Sequence, residues 1–228
     1  MPAGQIQQVH EFSSGGLAGV WAEANTREAI YDAMLRRETF ATSGTMIRVR
    51  FFGGFGLTQA DLAATDFVKR GYRGGVPMGG DLRAVPGRAA PTFLVRALKD
   101  PKSGNLDRIQ IVKGWVDANG QRREKIFDIA WSDGRKPGSD GKVPAVGNTV
   151  DLKTAQYTNA IGTPELAAAW TDPEFDPGLP AVYYARVLEI PTPRWSTIDA
   201  AKLGQPVLAG ISPMIQERAW TSPIWYTP

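Results

Sequence analysis

Three acidic side chains late in the chain have the residue types of a small metal site. Asp172, Glu174 and Asp176 alternate with other residues in the segment DPEFDP, and carboxylate oxygens are ligands that Ca²⁺ prefers. The spacing is not that of an EF-hand loop, and all-oxygen calcium sites recruit roughly six to eight ligands. The sequence therefore favours an ordinary acidic loop over a metal site, with these three residues as the candidate metal ligands.

Glu23, Arg27 and His10 are the candidates for acid–base chemistry. Glu23 and Arg27 lie where a predicted strand leads into a helix, a place where α/β enzymes present catalytic side chains. A capping network, with Asn25 as the helix cap and Glu23–Arg27 as a local ion pair, is the favoured interpretation. His10 is the single histidine, and a solvated residue is the usual outcome near a chain terminus. An independent hydrolase built on these residues is the least favoured function, because acid–base catalysis needs convergent groups.

The composition excludes several classes of chemistry. The chain of 228 residues has no cysteine and one histidine, so disulfides, cysteine-bound zinc, thiol catalysis and a histidine-rich metal centre are ruled out. Its formal net charge is +3, which is too small to indicate a nucleic-acid partner. No apolar run reaches the ~18 residues of a membrane span, and the first residues do not resemble a signal peptide. We therefore expect neither nucleic acid nor a membrane as a partner.

Short segments separated by turn residues indicate an α+β fold that is mainly β. The chain has 25 glycines and 17 prolines, which favour strands over a helical bundle. The predicted strands are 45–54, 92–99, 108–117, 123–132, 148–153, 181–190 and 219–226, with a short helical segment at 163–170. Residues 46–228 are predicted to form an antiparallel β-sandwich-like domain, and residues 1–45 a strand-helix unit that precedes it.

Two helices are predicted in the early part of the chain. The first begins at Asn25, and the second follows a capping box of Thr58 and Asp61. The first helix is apolar on nearly two faces, with the apolar side chains Ala29, Ile30, Tyr31, Ala33, Met34 and Leu35. Such a helix needs cover. We therefore expect it to fold onto the β domain, to mediate self-association or to contact an upstream domain.

The tryptophans offer a different kind of function. The chain has seven: Trp21, Trp115, Trp131, Trp170, Trp195, Trp220 and Trp225. An exposed row of such rings would indicate a sugar-binding platform. Most lie in strand-like segments and alternate with polar residues, so packing in the core is the favoured interpretation.

Five long segments are distinctive: SSGGLAGVWAEANTREAIYDAMLRRETFATSG, RIQIVKGWVD, EKIFDIAWSD, YYARVLEIPTPRW and ERAWTSPIWYTP. They resemble an uncharacterised bacterial family, a domain of unknown function whose members carry a polymerase-and-histidinol-phosphatase (PHP) type metal-dependent phosphoesterase domain. The resemblance is to the C-terminal part of that family only. It implies that residues 1–45 are the last unit of a PHP-type barrel and that the metal-ligand motifs lie upstream. No H-x-H or D-x-H motif occurs in this chain, so none of the family's catalytic residues can be assigned to a position in it. We therefore expect no cofactor in this chain. The resemblance implies that a full-length relative would bind divalent metal ions.

Two functions follow as hypotheses. The first is an accessory part of a PHP-like hydrolase, catalytically inactive alone, with an upstream barrel domain or a second copy of the chain against the first helix. The alternative is a stand-alone ligand-binding β-sandwich module, with a carbohydrate as one ligand class. The resemblance does not define the cellular compartment. If a full-length relative carries a signal peptide, we expect the protein to be periplasmic or secreted.

Overall fold

The computed structural model describes residues 15–85, 87 and 89–228. The strands in this part of the chain are β1 (Leu17–Val20), β2 (Thr39–Thr42), β3 (Arg48–Gly54), β4 (Val76–Pro77), β5 (Asp81–Arg83), β6 (Thr92–Leu98), β7 (Leu106–Val116), β8 (Arg122–Trp131), β9 (Glu165–Thr171), β10 (Ala181–Glu189), β11 (Thr192–Pro193), β12 (Met214–Ile215), β13 (Arg218–Thr221) and β14 (Ile224–Thr227). The helices are α1 (Arg27–Leu35), α2 (Gln59–Ala63), α3 (Phe67–Gly74) and α4 (Trp195–Leu203). None of these helices is long and apolar enough to cross a membrane.

Eight strands form the larger of two main sheets, here called the large sheet. Its central strand, β10, pairs along its whole length with β7, which in turn pairs with β8. The other edge of β10 is shared, since β14 pairs with its first residues and β13 with its last. From there β13 continues to β2 and β1, while β14 pairs with β5 in the one parallel contact of this described sheet. The sheet is therefore antiparallel except at one short edge.

Four strands form the second main sheet, here called the small sheet, in the antiparallel order β4-β3-β6-β9. Because side chains alternate between the two faces of a strand, Val49 and Phe51 of β3 point to one face and Arg48 and Arg50 to the other. The inward face packs on the large sheet, where Phe93 of β6 lies 4.4 Å from Tyr183 of β10, centroid to centroid. The two sheets thus form a sandwich around one core.

Helices α2 and α3 cover part of the outward face of the small sheet. Phe52 and Leu94 pack there against Leu62 and Phe67 of the two helices. Gly71 allows this close approach, because a Cβ at that position would lie 2.6 Å from the ring of Phe52. The other part of this face is not covered by these helices.

The strand-helix unit at the start of the described chain is hydrogen-bonded into the large sheet. β1 pairs with β2, and β2 pairs with β13 near the C-terminus. Its helix, α1, buries only Ala33 fully. A domain boundary near residue 45 stays a prediction, and so does the likeness of this unit to the last unit of a PHP-type barrel.

The mainly β, antiparallel architecture is confirmed. The predicted closing strand at 219–226 is divided in two, because its pairing with β10 is interrupted at Ser222 and Pro223; β13 and β14 run in the same direction along successive stretches of the same edge of β10. The helical segment predicted at 163–170 is wrong, since β9 pairs with β6 over seven residues and buries Leu166 and Ala168. Residues 148–153 contain only an isolated bridge, between Asp151 and Gln156.

The predicted start of the first helix needs a correction. The N-cap is Thr26, whose side chain accepts a hydrogen bond from the amide of Ala29, and not Asn25. The second helix has the predicted capping box, with Thr58 and Asp61 bonded reciprocally. Both helices therefore begin with a Thr side chain that satisfies a free backbone N–H.

Candidate ligand-binding groove

The three carboxylates of the segment DPEFDP have separate partners. Asp172 is 2% exposed, and its Oδ2 accepts hydrogen bonds from Lys113 Nζ at 2.6 Å and from the Tyr183 hydroxyl at 2.7 Å. Glu174 is paired with Lys125, while Asp176 accepts the backbone N–H of a neighbouring turn. Among the described residues no group of three or more acidic or histidine side chains could hold a metal ion. The carboxylates of this segment thus serve the local structure.

Two of the acid–base candidates, Glu23 and Arg27, are not brought together either. Glu23 and Arg27 are both exposed, and no ion pair joins them in the described part of the chain, so the predicted local pair is absent there. His10 lies outside the described residues. The structure therefore gives Glu23 and Arg27 no common site.

A groove of about 560 Å³ lies over the uncovered part of the small sheet. Its floor comes from neighbouring strands, since Arg48 and Arg50 of β3 face outward beside Arg96 and Leu98 of β6. One wall is the segment 65–69 between and within the covering helices, and Trp21 lines the groove as well. This volume is typical of small-molecule sites.

Positive charge dominates the groove. No carboxylate lies within 4 Å of the charged nitrogens of Arg48, Arg50 or Lys69 among the residues that the structure describes. The acidic residue at the wall, Asp66, is bound by Arg70 at 2.7 Å from outside the lining. The remaining cation, Arg96, lies 3.0 Å from Glu165. Three cations of the groove are therefore left to attract an anion.

Aromatic rings contact two of the arginines in the groove. Arg50 Cζ lies 3.6 Å from the ring centroid of Trp21, close enough for a cation–π contact. The Trp21 indole donates a hydrogen bond to the Val49 carbonyl at 2.9 Å, which fixes the ring against β3. On the opposite side, Arg96 Cζ lies 5.3 Å from the ring of Phe67. The groove combines fixed guanidinium groups with apolar surface, which suits an anion that carries a planar apolar body.

A hydrogen-bond chain links the groove to the end of α1. Arg50 Nη1 donates to the Tyr72 hydroxyl at 3.4 Å, and Tyr72 donates to Glu38, which is 3% exposed. Glu38 also accepts from Arg36 Nε at 2.8 Å, at the C-cap of α1. Burial, with Glu38 as neighbour, raises the pKa of Tyr72. The phenol is therefore neutral at physiological pH and can act as donor and acceptor in this chain.

Sequence reasoning missed the groove, although part of its signal was present. The alternation in β3 predicts that Arg48 and Arg50 share a face, but it gives them no function. Trp21 was a candidate for a sugar-binding platform only as part of a row, and no two tryptophan rings stack among the described residues. Trp225, which is 47% exposed, lies with Trp115 in a separate cavity of about 410 Å³.

Comparison with known proteins defines the family. The sequence matches the family described as protein of unknown function DUF3604 over residues 2–228. No curated protein and no solved structure matches the chain significantly. The family match spans almost the whole chain, and the chain therefore belongs to the DUF3604 family.

Proposed function

We propose that this chain is the C-terminal accessory part of a larger, PHP-like metal-dependent phosphoesterase and is catalytically inactive alone. The observation that carries the proposal is the uncovered apolar surface of α1. Tyr31, Met34 and Leu35 are 61%, 57% and 64% exposed, and their spacing places them on one side of the helix. Clustered exposed apolar side chains are typical of surfaces that bind another protein.

The position of α1 agrees with a docking role. Amphipathic helices normally bury their apolar side against a core, and α1 contributes only Ala33 to the buried set. The upstream barrel implied by the family resemblance would supply the missing cover. Through Arg36, Glu38 and Tyr72 the end of α1 is connected to Arg50 of the groove, so a barrel docked on α1 would act beside a surface that attracts anions.

The first experiment separates accessory from enzyme. Elemental analysis of the purified chain should find no stoichiometric manganese or zinc, and an aryl phosphate should not be hydrolysed when either metal is added. Stoichiometric metal with turnover by the chain alone would contradict the proposal.

The second experiment tests the docking surface. A PHP-type barrel domain from this family, expressed separately, should bind the chain and lose at least about ten-fold in affinity with Met34→Lys/Leu35→Lys, because central apolar contacts each contribute above ~1 kcal/mol. Val116→Lys/Ile126→Lys is the matched control, since these side chains are 42% and 44% exposed on β7 and β8. Equal binding by both double variants would refute docking through α1.

The groove favours a second candidate, a stand-alone module that binds an anionic ligand. Three cations of the groove have no carboxylate partner in the described chain, which favours an anionic ligand. The neutral carbohydrate that the sequence suggests as one ligand class is less favoured. Calorimetry with phenyl phosphate and phenyl glucoside distinguishes the two ligand classes. Phenyl phosphate should bind and should weaken about ten-fold or more in Arg48→Gln or Arg50→Gln, as expected for charge-assisted hydrogen bonds.

The control for the groove is Arg83→Gln, an exposed cation on β5 away from the groove lining. This variant should bind phenyl phosphate as the original chain does. Stronger binding of phenyl glucoside, or equal losses in all three variants, would exclude the anion groove. Because these measurements use the chain alone, their outcome is independent of docking through α1.

A further inference from the structure

We propose a second anion-binding site, in a cleft of about 360 Å³ on the outward face of the large sheet. Its binding groups are Arg186 of β10 and Arg218 of β13, and its ligand class is a small dianion such as a phosphate monoester or inorganic phosphate. The cleft shares no lining residue with the groove over the small sheet. The proposal goes beyond the accessory function and does not depend on it.

Strand register places the two arginines next to each other on rigid backbone. Leu188 pairs with Arg218, and Arg186 pairs with Trp220, so the arginines occupy diagonal positions on adjacent strands. On β10 the alternate residues Tyr183, Ala185 and Val187 fill the core, so Arg186 and Leu188 face outward. Sites on the middle of a sheet are held more precisely than sites on loops.

Each guanidinium is anchored through one nitrogen. Arg186 Nε donates to Gln110 Oε1 at 2.8 Å, and Gln110 Nε2 donates to Asp128 Oδ1 at 2.7 Å, which fixes the orientation of the glutamine. Arg218 Nε donates to the Gln216 carbonyl at 3.2 Å. Within the described residues, the terminal Nη groups of Arg186 and Arg218 have no hydrogen-bond or ion-pair partner. The two guanidinium groups are therefore oriented by the protein, while their Nη donors remain available to a ligand.

The acidic groups in this region do not cancel these charges. Asp107 Oδ1 binds Arg135 at 2.5 Å, and its Oδ2 binds Arg108 at 3.1 Å. Asp128 binds Arg108 at 3.2 Å. Arg108 and Arg135 thus balance the two carboxylates, and both are 11% exposed or less.

The two remaining arginines make the cleft doubly positive. A phosphate monoester carries close to two negative charges above its second pKa of about 6, and guanidinium forks match its oxygens. Apolar side chains complete the cleft, among them Val146, Leu188 and Pro191. These side chains offer contact to the small organic group of a phosphate monoester, which inorganic phosphate lacks.

Calorimetry of the full chain at low salt tests the site, with inorganic phosphate and glycerol phosphate as probes. Sulfate is the control for pH effects, because it stays a dianion throughout the pH range used. Both phosphates should bind, and each of Arg186→Gln and Arg218→Gln should weaken binding about ten-fold or more. The affinity for glycerol phosphate should rise as the pH passes about 6, the affinity for inorganic phosphate should rise at a higher pH, and the sulfate affinity should not change. Arg83→Gln, an exposed cation on β5 that lines neither the groove nor the cleft, should leave binding of both phosphates unchanged.

Folding of the variants is checked by their thermal unfolding without ligand. If a Gln variant unfolds, Arg186→Lys and Arg218→Lys keep the charge and remove the donor fork, so they should fold and still bind more weakly. A higher affinity for glycerol phosphate than for inorganic phosphate would assign the cleft to an organic phosphate. Equal affinities would assign it to free phosphate. Absence of anion binding, or an equal loss in Arg83→Gln, would overturn the assignment.

Discussion

Two regions of the sandwich place a basic side chain on a strand beside an aromatic ring, and they use the charge in opposite ways. Between the sheets, Lys113 is 4% exposed, and its Nζ lies 5.1 Å from the ring centroid of Trp115. On the outward face of the small sheet, Arg50 is stacked on Trp21. Lys113 has a carboxylate partner in Asp172, at 2.6 Å, whereas Arg50 has none among the described residues.

The difference follows from solvation. A charge taken out of water must be paired and hydrogen-bonded, because an isolated buried ion costs several kcal/mol. Lys113 meets this requirement with Asp172 and with the Glu174 carbonyl at 2.7 Å. Arg50 keeps contact with solvent in an open groove, so its charge stays available for a ligand. Lys113, which is fully paired, thus serves the structure, whereas solvated and unpaired cations that line a groove remain available to a ligand.

The largest effect is expected from breaking the buried pair. Asp172→Ala should lower the free energy of unfolding by about 3–5 kcal/mol, because it leaves the Lys113 ammonium buried without a counter-ion. It also removes the acceptor of the Tyr183 hydroxyl. Urea denaturation followed by tryptophan fluorescence measures this loss.

A second variant separates charge from packing at the same place. Lys113→Met/Asp172→Leu replaces the pair by apolar side chains of similar volume, and we expect a stability within about 1–2 kcal/mol of the original chain. If the double variant were as unstable as Asp172→Ala, the loss would come from packing, and the comparison drawn above would be wrong.

Glu189 gives the next largest expected effect, because its carboxyl group is buried but, unlike that of Asp172, has no ion-pair partner among the residues described. It is 0% exposed, and Ser103 Oγ donates to its Oε2 at 2.5 Å, but its Oε1 has no hydrogen-bond partner. No cation pairs with it within the described chain. Burial raises the pKa of Glu189 to about 7, and the nearby Glu217 and Asp100 carboxylates contribute in the same direction.

A raised pKa of an acid makes the folded state less stable as the pH increases. Below the ordinary value of 4.5 the carboxyl is protonated in both states; between 4.5 and about 7 the unfolded chain releases the proton first. Stability should therefore fall across this range by about 3 kcal/mol, since one pKa unit corresponds to about 1.4 kcal/mol.

Glu189→Gln removes this titration while keeping an acceptor for Ser103. The difference in the free energy of unfolding between variant and original chain should grow by about 3 kcal/mol from about pH 4 to about pH 8. Urea denaturation across this range checks it. A difference that stays constant with pH would show that Glu189 ionises normally in the folded chain.

The sequence predicts strands where two signals coincide. Strands β6, β7, β8 and β10 agree with their predicted ranges to within about two residues, because alternating side chains are bounded there by turn residues. The segment of β9 fails because Leu166 and its alanines have high helix propensity. Pairing with β6 and burial of alternate residues override that preference, and neither is visible in a local window.

The binding surfaces are less accessible to sequence reasoning. Arg48 and Arg50 can be placed on one face from the period of β3, yet Trp21 and Lys69 reach them from other segments. Likewise, Arg186 and Arg218 are 32 positions apart in the printed numbering, and only the strand register makes them neighbours. Their lack of carboxylate partners within the described chain is a property of the tertiary structure alone.

The smallest expected effect on stability comes from the groove, and it completes the comparison. Arg48→Gln should change the free energy of unfolding by less than about 0.5 kcal/mol, because a solvated cation without an ion pair contributes little. Arg50→Gln loses the contact with Trp21 as well, so we expect a loss of about 0.5–1 kcal/mol. Urea denaturation of both variants beside Asp172→Ala provides the scale. A loss near 3 kcal/mol for Arg48→Gln would mean that this arginine serves the fold as Lys113 does, and the groove would then lose one of the charges proposed to bind an anion.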